Sequence, residues 1–202
     1  MRPTNAVKDF LEGFCDDNHG RALWEYRIFT DEEMESTHDY IQWMFPTDVP
    51  SKFNPKAPLI DTNTRWMNTH KLVVLQSAMQ FLGFLARTEH WREKGNHNLL
   101  RISRMLRSVA LICGWETAWN LYAIISQFGQ KGDLSEPVSN FDARDDGMPV
   151  SIYWWAAMMD NDIELARSKV VKLVLSVPTD KQLANGMKQE IADYWQNRKI
   201  AA

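Results

Sequence analysis

Apolar residues recur at intervals of three and four along most of this chain, and that spacing constrains the fold more than any other feature. The clearest example is NHNLLRISRMLRSVALICGW, residues 96–115. Its apolar seam consists of Leu99, Ile102, Leu106, Val109 and Cys113. Because residues three and four apart share one face of an α-helix, the segment is predicted to be a helix with one buried face. Gly114 is a natural residue for that helix to end on.

The same spacing predicts about seven or eight helices, and no part of the chain has the pattern of a β-hairpin. The predicted helices cover about residues 4–15, 30–45, 71–87, 96–113, 116–128, 149–159, 161–177 and 179–198, with a further helical region near Trp66. Thr30 and Glu33 form a predicted capping box. Residues 16–29 are predicted to be extended, and the β-branched run at 170–175 leaves a strand as an alternative. The predicted fold class is all-α.

Two of the helices have a predicted orientation. In residues 71–87, the residues expected to face the core are Leu72, Leu75, Met79, Leu82 and Leu85. The polar face opposite the seam of residues 96–113 carries Lys94, His97, Arg101, Arg104 and Ser108, with Arg92 and Arg107 at its edges. This polar face is expected to be solvated. In IYWWAAMM, residues 152–159, burial of the aromatic residues is favoured over an exposed binding surface.

The length of the chain suits one domain. With 202 residues, of which 45% are hydrophobic, it can bury a sizeable core. Residues 1–202 are therefore predicted to form a single compact globular domain, with a C-terminal helical portion at 149–202. Nine tryptophans, nine phenylalanines and five tyrosines predict that much of the core is aromatic.

Charge and cysteine usage exclude several classes of protein. A net charge of -3 argues against a dedicated nucleic-acid-binding protein. Cys15 and Cys113 lie inside apolar segments, which indicates buried thiols in a reducing compartment and not a disulfide framework. Lys8, Asp9 and Glu12 interrupt any secretory signal, and no run reaches the roughly 18 apolar residues that span a bilayer. The sequence predicts a soluble cytoplasmic protein.

The stretch THDYIQWMFPTDVPSKFNPKAPLID, residues 37–61, begins like a helix and continues with prolines at positions 46, 50, 55 and 58. Proline excludes both a helix interior and a central strand, so residues 46–58, the proline loop, are predicted to be a stiff loop. The loop is either a structural clasp or a recognition loop. Residues 129–149 form the longest predicted loop.

Eight residues are candidates for contact with a partner. They are His38, Gln42, Lys52, Asn54, Arg92, His97, Arg101 and Arg104. The first four lie in or beside the proline loop, and the last four belong to a basic stripe whose guanidinium groups can bind phosphate or carboxylate. The hypothesis is that loop and stripe form one surface for a peptide or protein. The alternative for the stripe is a solvated face, or a site for anions or nucleic acid.

Catalytic motifs are absent, which favours a non-catalytic protein without cofactor or bound metal. Neither a Gly-x-Ser-x-Gly element nor a glycine-rich phosphate loop occurs in the sequence. His38 and Asp39 leave a metal-dependent hydrolase as an alternative, but the remaining histidines do not have the spacing of a zinc motif.

Several of these segments, in this order, resemble the conserved region of the opioid growth factor receptor family. Tyr-Ile-Gln-Trp-Met-Phe-Pro, residues 40–46, matches the family pattern except at Met44, where the family has leucine. The later matches are Ala57, Pro58, Leu59, Leu82, Gly83, Phe84, Trp91, Arg92, His97, Asn98, Leu99, Arg101, Ile102, Arg104, Leu106 and Ser108. The resemblance covers about residues 24–128.

This resemblance implies an all-helical domain without an assigned catalytic activity and with a receptor-like role in binding peptides. Vertebrate members are receptors for an endogenous opioid peptide and associate with the nucleus. The present sequence has no basic nuclear-targeting run, so nuclear association is not expected. The identity of the partner is left open.

Overall fold

The computed structural model describes residues 3–93, 96–130, 150–159, 165, 168–169, 172–173 and 180–201. Its α-helices are α1 (Pro3–Leu11), α2 (Leu23–Arg27), α3 (Asp31–Ser36), α4 (Ile41–Met44), α5 (Asn68–Arg87), α6 (Asn98–Ile112), α7 (Trp115–Gln130), α8 (Val150–Ala157) and α9 (Asp180–Ala201). A 3₁₀ turn spans His90–Arg92. None of these residues forms a strand, so the all-α class is confirmed.

The chain packs into two compact units. The first consists of Met1–Glu89 and Leu111–Cys113, and the second of His90–Ala110 and Gly114–Ala202. Lys94, most of the loop at 129–149 and most of the predicted helix at 161–177 lie outside the described residues. No described helix is both long enough and apolar enough to cross a membrane.

Aromatic rings form the core of the first unit, where α1 packs against α5. The Phe10 ring lies 5.0 Å from that of Trp43 and 5.6 Å from that of Tyr26. Tyr40 contacts both Tyr26 and Phe29 edge-on, with ring centroids 5.7 and 5.3 Å away. Tilted and edge-on pairs are the favoured arrangement of aromatic rings, so the predicted aromatic core is confirmed in this unit.

The predicted helix over residues 30–45 is wrong as one element, because it is divided into α3 and α4. Its start is correct: the Glu33 amide donates to Thr30 Oγ1 over 3.2 Å, and the Thr30 amide donates to Glu33 Oε2 over 2.7 Å. The helix stops because Thr37 is extended. The resulting bend brings the Tyr40 hydroxyl to the Met34 carbonyl, 3.3 Å away, and places the tyrosine ring in the core.

Three further boundaries differ from the sequence prediction. Helix α1 ends at Leu11 and not near Cys15, because Gly13 has a φ of 78° that only glycine adopts without strain. Helix α2 lies within the segment that was predicted to be extended. No helix forms around Trp66, and residues 61–67 have no regular structure.

The predicted inner face of α5 is only partly correct. Leu82 and Leu85 are buried, but Leu72 and Met79 are exposed. The buried face also contains two polar residues, His70 and Ser77. His70 has a structural role there: its Nδ1 accepts from the Met67 amide over 3.3 Å, and its Nε2 lies 2.6 Å from Glu12 Oε1. The imidazole thus caps α5 and links its start to the segment after α1.

In the second unit, α7 packs against α8 and α9. Trp154 donates from Nε1 to the Leu99 carbonyl and Trp155 to the Met187 carbonyl, each over 3.0 Å. Both indoles are buried, which confirms the predicted burial of the aromatic residues of α8. A buried tryptophan needs a partner for its N–H, and main-chain carbonyls of two other helices provide it.

Four of the five residues of the predicted seam, Leu99, Ile102, Leu106 and Val109, are buried in α6, and the fifth, Cys113, is half-buried just beyond the end of the helix. The expectation of a solvated opposite face is wrong: Arg101, Arg107 and Ser108 are buried as well. Arg101 donates from Nη1 to Asn98 Oδ1 over 3.0 Å. Helix α6 therefore lies inside its unit on more than one side, which the seam alone did not indicate.

Candidate functional site

The proline loop lies within residues 45–67, which connect α4 to α5 without helix or strand. The two sides of this connection meet where the Ile60 amide donates to the Thr47 carbonyl over 3.1 Å. Pro46 and Thr47 are buried at this base, and Val49 and Pro50 are exposed beyond it. The segment that connects α4 to α5 is thus buried at its start, and its chain reverses direction between Thr47 and Ile60.

Asn54 anchors the middle of the loop. Its side chain is buried, and Nδ2 donates to the Asp39 carbonyl over 2.9 Å and to Asn18 Oδ1 over 3.1 Å. Asn18 Oδ1 also accepts from Trp43 Nε1 over 2.6 Å. Both hydrogens of the Asn54 amide are therefore bonded within the protein. One is donated to Asp39 in the bend after α3, and the other to Asn18 in the turn before α2.

Ser51 forms a second anchor. Its Oγ lies 3.0 Å from Gln42 Nε2 and accepts from the Phe53 and Asn54 amides over 3.2 and 3.4 Å. Gln42 is buried, and its Oε1 has no hydrogen-bond partner among the described residues. A serine that holds the main-chain amides two and three residues ahead forms a local turn. The backbone of the loop is consequently fixed on both sides of Phe53.

An ion network supports the bend at Asp39, whose main-chain carbonyl accepts the hydrogen bond from Asn54. Asp39 Oδ1 lies 2.8 Å from Arg21 Nη2, and Asp39 Oδ2 lies 2.9 Å from His19 Nε2. Arg21 also pairs with Asp17, at 2.6 Å from Nη2 to Oδ2. The Asp39 carboxylate thus has a basic partner on each oxygen, and its main-chain carbonyl still accepts from Asn54.

Asp17 is the buried member of this network. Burial raises the pKa of its carboxyl, but hydrogen bonds from the Tyr26 hydroxyl and from Arg21 outweigh burial and hold the pKa below its ordinary value. The same contact acts on Tyr26, whose pKa is raised first by burial and then by its bond to Asp17. A buried carboxylate with several donors is stable in its ionised form. The network therefore has a structural role under the loop.

The exposed part of the loop carries cationic and apolar side chains that face solvent. Lys52, Phe53, Pro55 and Lys56, here called the loop tip, are all exposed, and 70% of the Phe53 surface is accessible to solvent. The Ala57 amide donates to the Asn54 carbonyl over 3.2 Å, which closes a tight turn at Pro55 and Lys56. An exposed phenylalanine thus lies between two exposed lysines in sequence, on a backbone held by hydrogen bonds.

The eight predicted contact residues fall into two groups. His38 and Lys52 are exposed, whereas Gln42 and Asn54 are buried and bond within the first unit. Arg92, His97, Arg101 and Arg104 belong to the second unit. Arg92 lies 5.5 Å from the centre of the Trp91 ring, and Arg101 is buried. The first group therefore belongs to the first unit and the second group to the second unit, and the shared surface stays a prediction.

The described residues give no support to the hydrolase alternative. They contain no cluster of three or more histidine, cysteine, aspartate or glutamate side chains that could hold a metal ion. Both oxygens of Asp39 are engaged by Arg21 and His19. His38 is exposed one residue before the bend. Among the described residues, these two neighbours in sequence are thus not part of a metal-binding cluster.

Three residues that hold the site together were not among those predicted from the sequence: Asp17, Asn18 and Ser51. DDNHG, residues 16–20, carried a signal, because aspartate and asparagine before glycine are typical of a tight turn. Gly20 indeed has a φ of 78°, and its amide bonds to the Asp17 carbonyl. The contact between this turn and Asn54, 36 residues later, had no local signal.

Comparison of the chain with protein-family models, with curated proteins and with solved structures gives no match.

Proposed function

We propose that this protein is a non-catalytic binding module that recognises a peptide or protein segment through the loop tip. The observation that carries the proposal is the contrast between two neighbours in sequence. Asn54 is buried with both amide hydrogens bonded inside the protein, and Phe53 beside it is 70% exposed.

The physical support is preorganisation. Ordering a loop on binding costs free energy, and a loop that is already ordered by the fold avoids that cost. Single exposed hydrophobic residues are common on protein surfaces, so exposure of Phe53 alone carries little weight. Its position is different because Ser51 and Asn54 fix the backbone on both sides. Aromatic residues held in this way are typical anchors of binding interfaces.

We also propose, from the resemblance of residues 24–128, that the chain belongs to the opioid growth factor receptor family and acts in the cytoplasm. The described residues add one point about that resemblance. Tyr40, Ile41, Trp43, Met44 and Phe45 of the matching motif are buried. The motif therefore supports a shared core and, by itself, does not support a shared ligand.

The test of the proposed function uses a displayed library of random dodecapeptides selected on the intact protein. Selected peptides are then measured against Phe53→Ser and against Phe14→Ser, which removes an equally exposed phenylalanine elsewhere in the first unit. Binding is expected to weaken roughly tenfold with Phe53→Ser, as for loss of an interface anchor, and to be unchanged with Phe14→Ser. Selected peptides that bind Phe53→Ser as well as the native protein would contradict the proposal.

A further inference from the structure

We infer that the partner of the loop tip is an acidic segment with a large apolar residue, whose carboxylates lie against Lys52 and Lys56 while the apolar side chain packs on Phe53. This inference rests on the proposed function and adds the chemistry of the partner.

The charges of the loop tip are the first support. Lys52 and Lys56 are exposed and form no ion pair within the described part of the chain. Residues 49–60 contain no aspartate or glutamate, and the single acidic residue of the proline loop is Asp48, which precedes Lys52 in sequence. Two exposed cations on one short loop with a single acidic residue attract a negatively charged partner.

Two arginines of the first unit are already engaged in ion pairs. Arg21 pairs with Asp17 and Asp39, and Arg87 donates to both carboxylate oxygens of Asp31, over 2.7 and 2.9 Å. These ion pairs neutralise charge inside the unit. Lys52 and Lys56 therefore offer positive charge to a partner without breaking an internal contact.

The order of residues in the loop tip indicates the order of groups expected in the partner. The bond from the Ala57 amide to the Asn54 carbonyl closes a turn at Pro55 and Lys56, and the Ser51 hydroxyl holds the Phe53 amide. The phenylalanine ring thus has a positive charge on either side in sequence. A short peptide that places carboxylates on both sides of one apolar residue complements this order.

A nucleic acid is a less suitable partner for the same residues. Binding to a polyanion depends on several phosphate contacts, and the loop tip has two lysines. The first turn of α3, in the same unit, carries Asp31, Glu32 and Glu33. The chain as a whole has a net charge of -3. These charges favour a carboxylate-bearing peptide over a phosphate backbone.

The experiment sorts the displayed dodecapeptides into those that lose binding to Phe53→Ser and those that do not, and compares their composition. Peptides that depend on Phe53 are expected to be enriched in aspartate and glutamate. Their affinity is expected to fall roughly tenfold with the double variant Lys52→Glu/Lys56→Glu, because two attractive charges become repulsive. The matched control is Lys181→Glu/Lys188→Glu, which makes the same charge change at exposed lysines of α9 and should leave affinity unchanged.

The possible outcomes separate this inference from the proposed function. Phe53-dependent peptides without acidic enrichment would overturn the inference and leave the proposed function standing. Absence of any Phe53-dependent peptide would overturn both. Labelled oligo(dT) serves as a second probe: if it binds more tightly than the selected peptides, and loses that binding in Lys52→Glu/Lys56→Glu, the partner is a nucleic acid and the inference is wrong.

Discussion

Asn54 donates a hydrogen bond to the main-chain carbonyl of Asp39 over 2.9 Å and joins the middle of a surface loop to the bend between two short helices. The Asp39 side chain is held at the same time by Arg21 and His19. The loop and the ion network beneath it are thus connected through one residue. Loss of the Asn54 amide should therefore affect the loop more than the surrounding helices.

The first prediction concerns the stability that Asn54 provides. Asn54→Leu leaves the Asp39 carbonyl without its amide donor, and we expect the free energy of unfolding to fall by about 1–3 kcal/mol. The measurement is urea denaturation followed by tryptophan fluorescence. Asn63→Leu is the control, because Asn63 is exposed and only its main-chain amide bonds to Asp61. Equal effects of the two substitutions would show that the buried amide does not anchor the loop.

The second prediction concerns acid sensitivity. The pKa of Asp17 is below its ordinary value in the folded protein, since hydrogen bonds from Tyr26 and Arg21 outweigh the opposing effect of burial. The stabilisation from ionised Asp17 is therefore complete above the unfolded-state pKa of about 3.9 and is lost as pH falls through the lower folded-state value. Asp17→Asn should be less stable at neutral pH, and its free energy of unfolding should change less with pH in that acidic window.

Asp31 provides the comparison for this experiment. Its pKa is lowered mainly by the hydrogen bond from Arg87, at an exposed position. Salt screens exposed pairs more than buried ones, so high salt should reduce the effect of Asp31→Asn and leave that of Asp17→Asn. If salt removes both effects equally, Asp17 is not protected from solvent as described.

The third prediction concerns the reactivity of Cys113. Burial raises the pKa of its thiol to about 12, with a smaller opposing effect from Lys71, and the thiol lies 3.6 Å from the Lys71 carbonyl. A protonated thiol is a poor nucleophile. Labelling of the native protein with iodoacetamide at neutral pH, followed by peptide mass spectrometry, should modify Cys113 at least roughly tenfold more slowly than in urea. Equal rates would contradict burial of this thiol.

The fourth prediction concerns which apolar residues of α5 are buried. Leu72 and Met79 are exposed and Leu82 is buried. We expect Leu72→Gln and Met79→Gln to change the free energy of unfolding by no more than about 0.5 kcal/mol, and Leu82→Ala to lower it by about 2–5 kcal/mol. Denaturation curves of the three variants test the assignment. A large loss with Met79→Gln would mean that the face predicted from spacing alone was correct.

Local patterns predicted the parts of the fold that depend on neighbours in sequence. The seam of α6 and the Thr30–Glu33 capping box appear where three-four spacing and capping chemistry placed them. The face of α5 was not predictable in the same way, because leucine or methionine also occurs on the side away from the core. Spacing shows that a helix has an apolar stripe, and only tertiary packing decides which stripe is buried.

The candidate site was also predictable only where it depends on neighbours in sequence. The prolines predicted a stiff loop at residues 46–58, and Asn54 and Lys52 were among its candidate residues. The opposite burial of these two residues was not predictable, because it depends on Asn18 and Asp39, which are distant from Asn54 in sequence. Burial of Arg101 was missed for a related reason, since an arginine within a polar stripe is usually solvated.

The most direct test of the central claim is the dissociation constant of a Phe53-dependent peptide for Asn54→Leu, measured by isothermal titration calorimetry at a temperature where circular dichroism shows that the variant is folded. Asn54→Leu keeps Lys52, Phe53 and Lys56 and removes the side-chain hydrogen bonds from Asn54 to Asp39 and Asn18. If the fixed loop is the basis of recognition, affinity should fall roughly tenfold, because the loop must then be ordered on binding. An unchanged dissociation constant for the folded variant would contradict the claim.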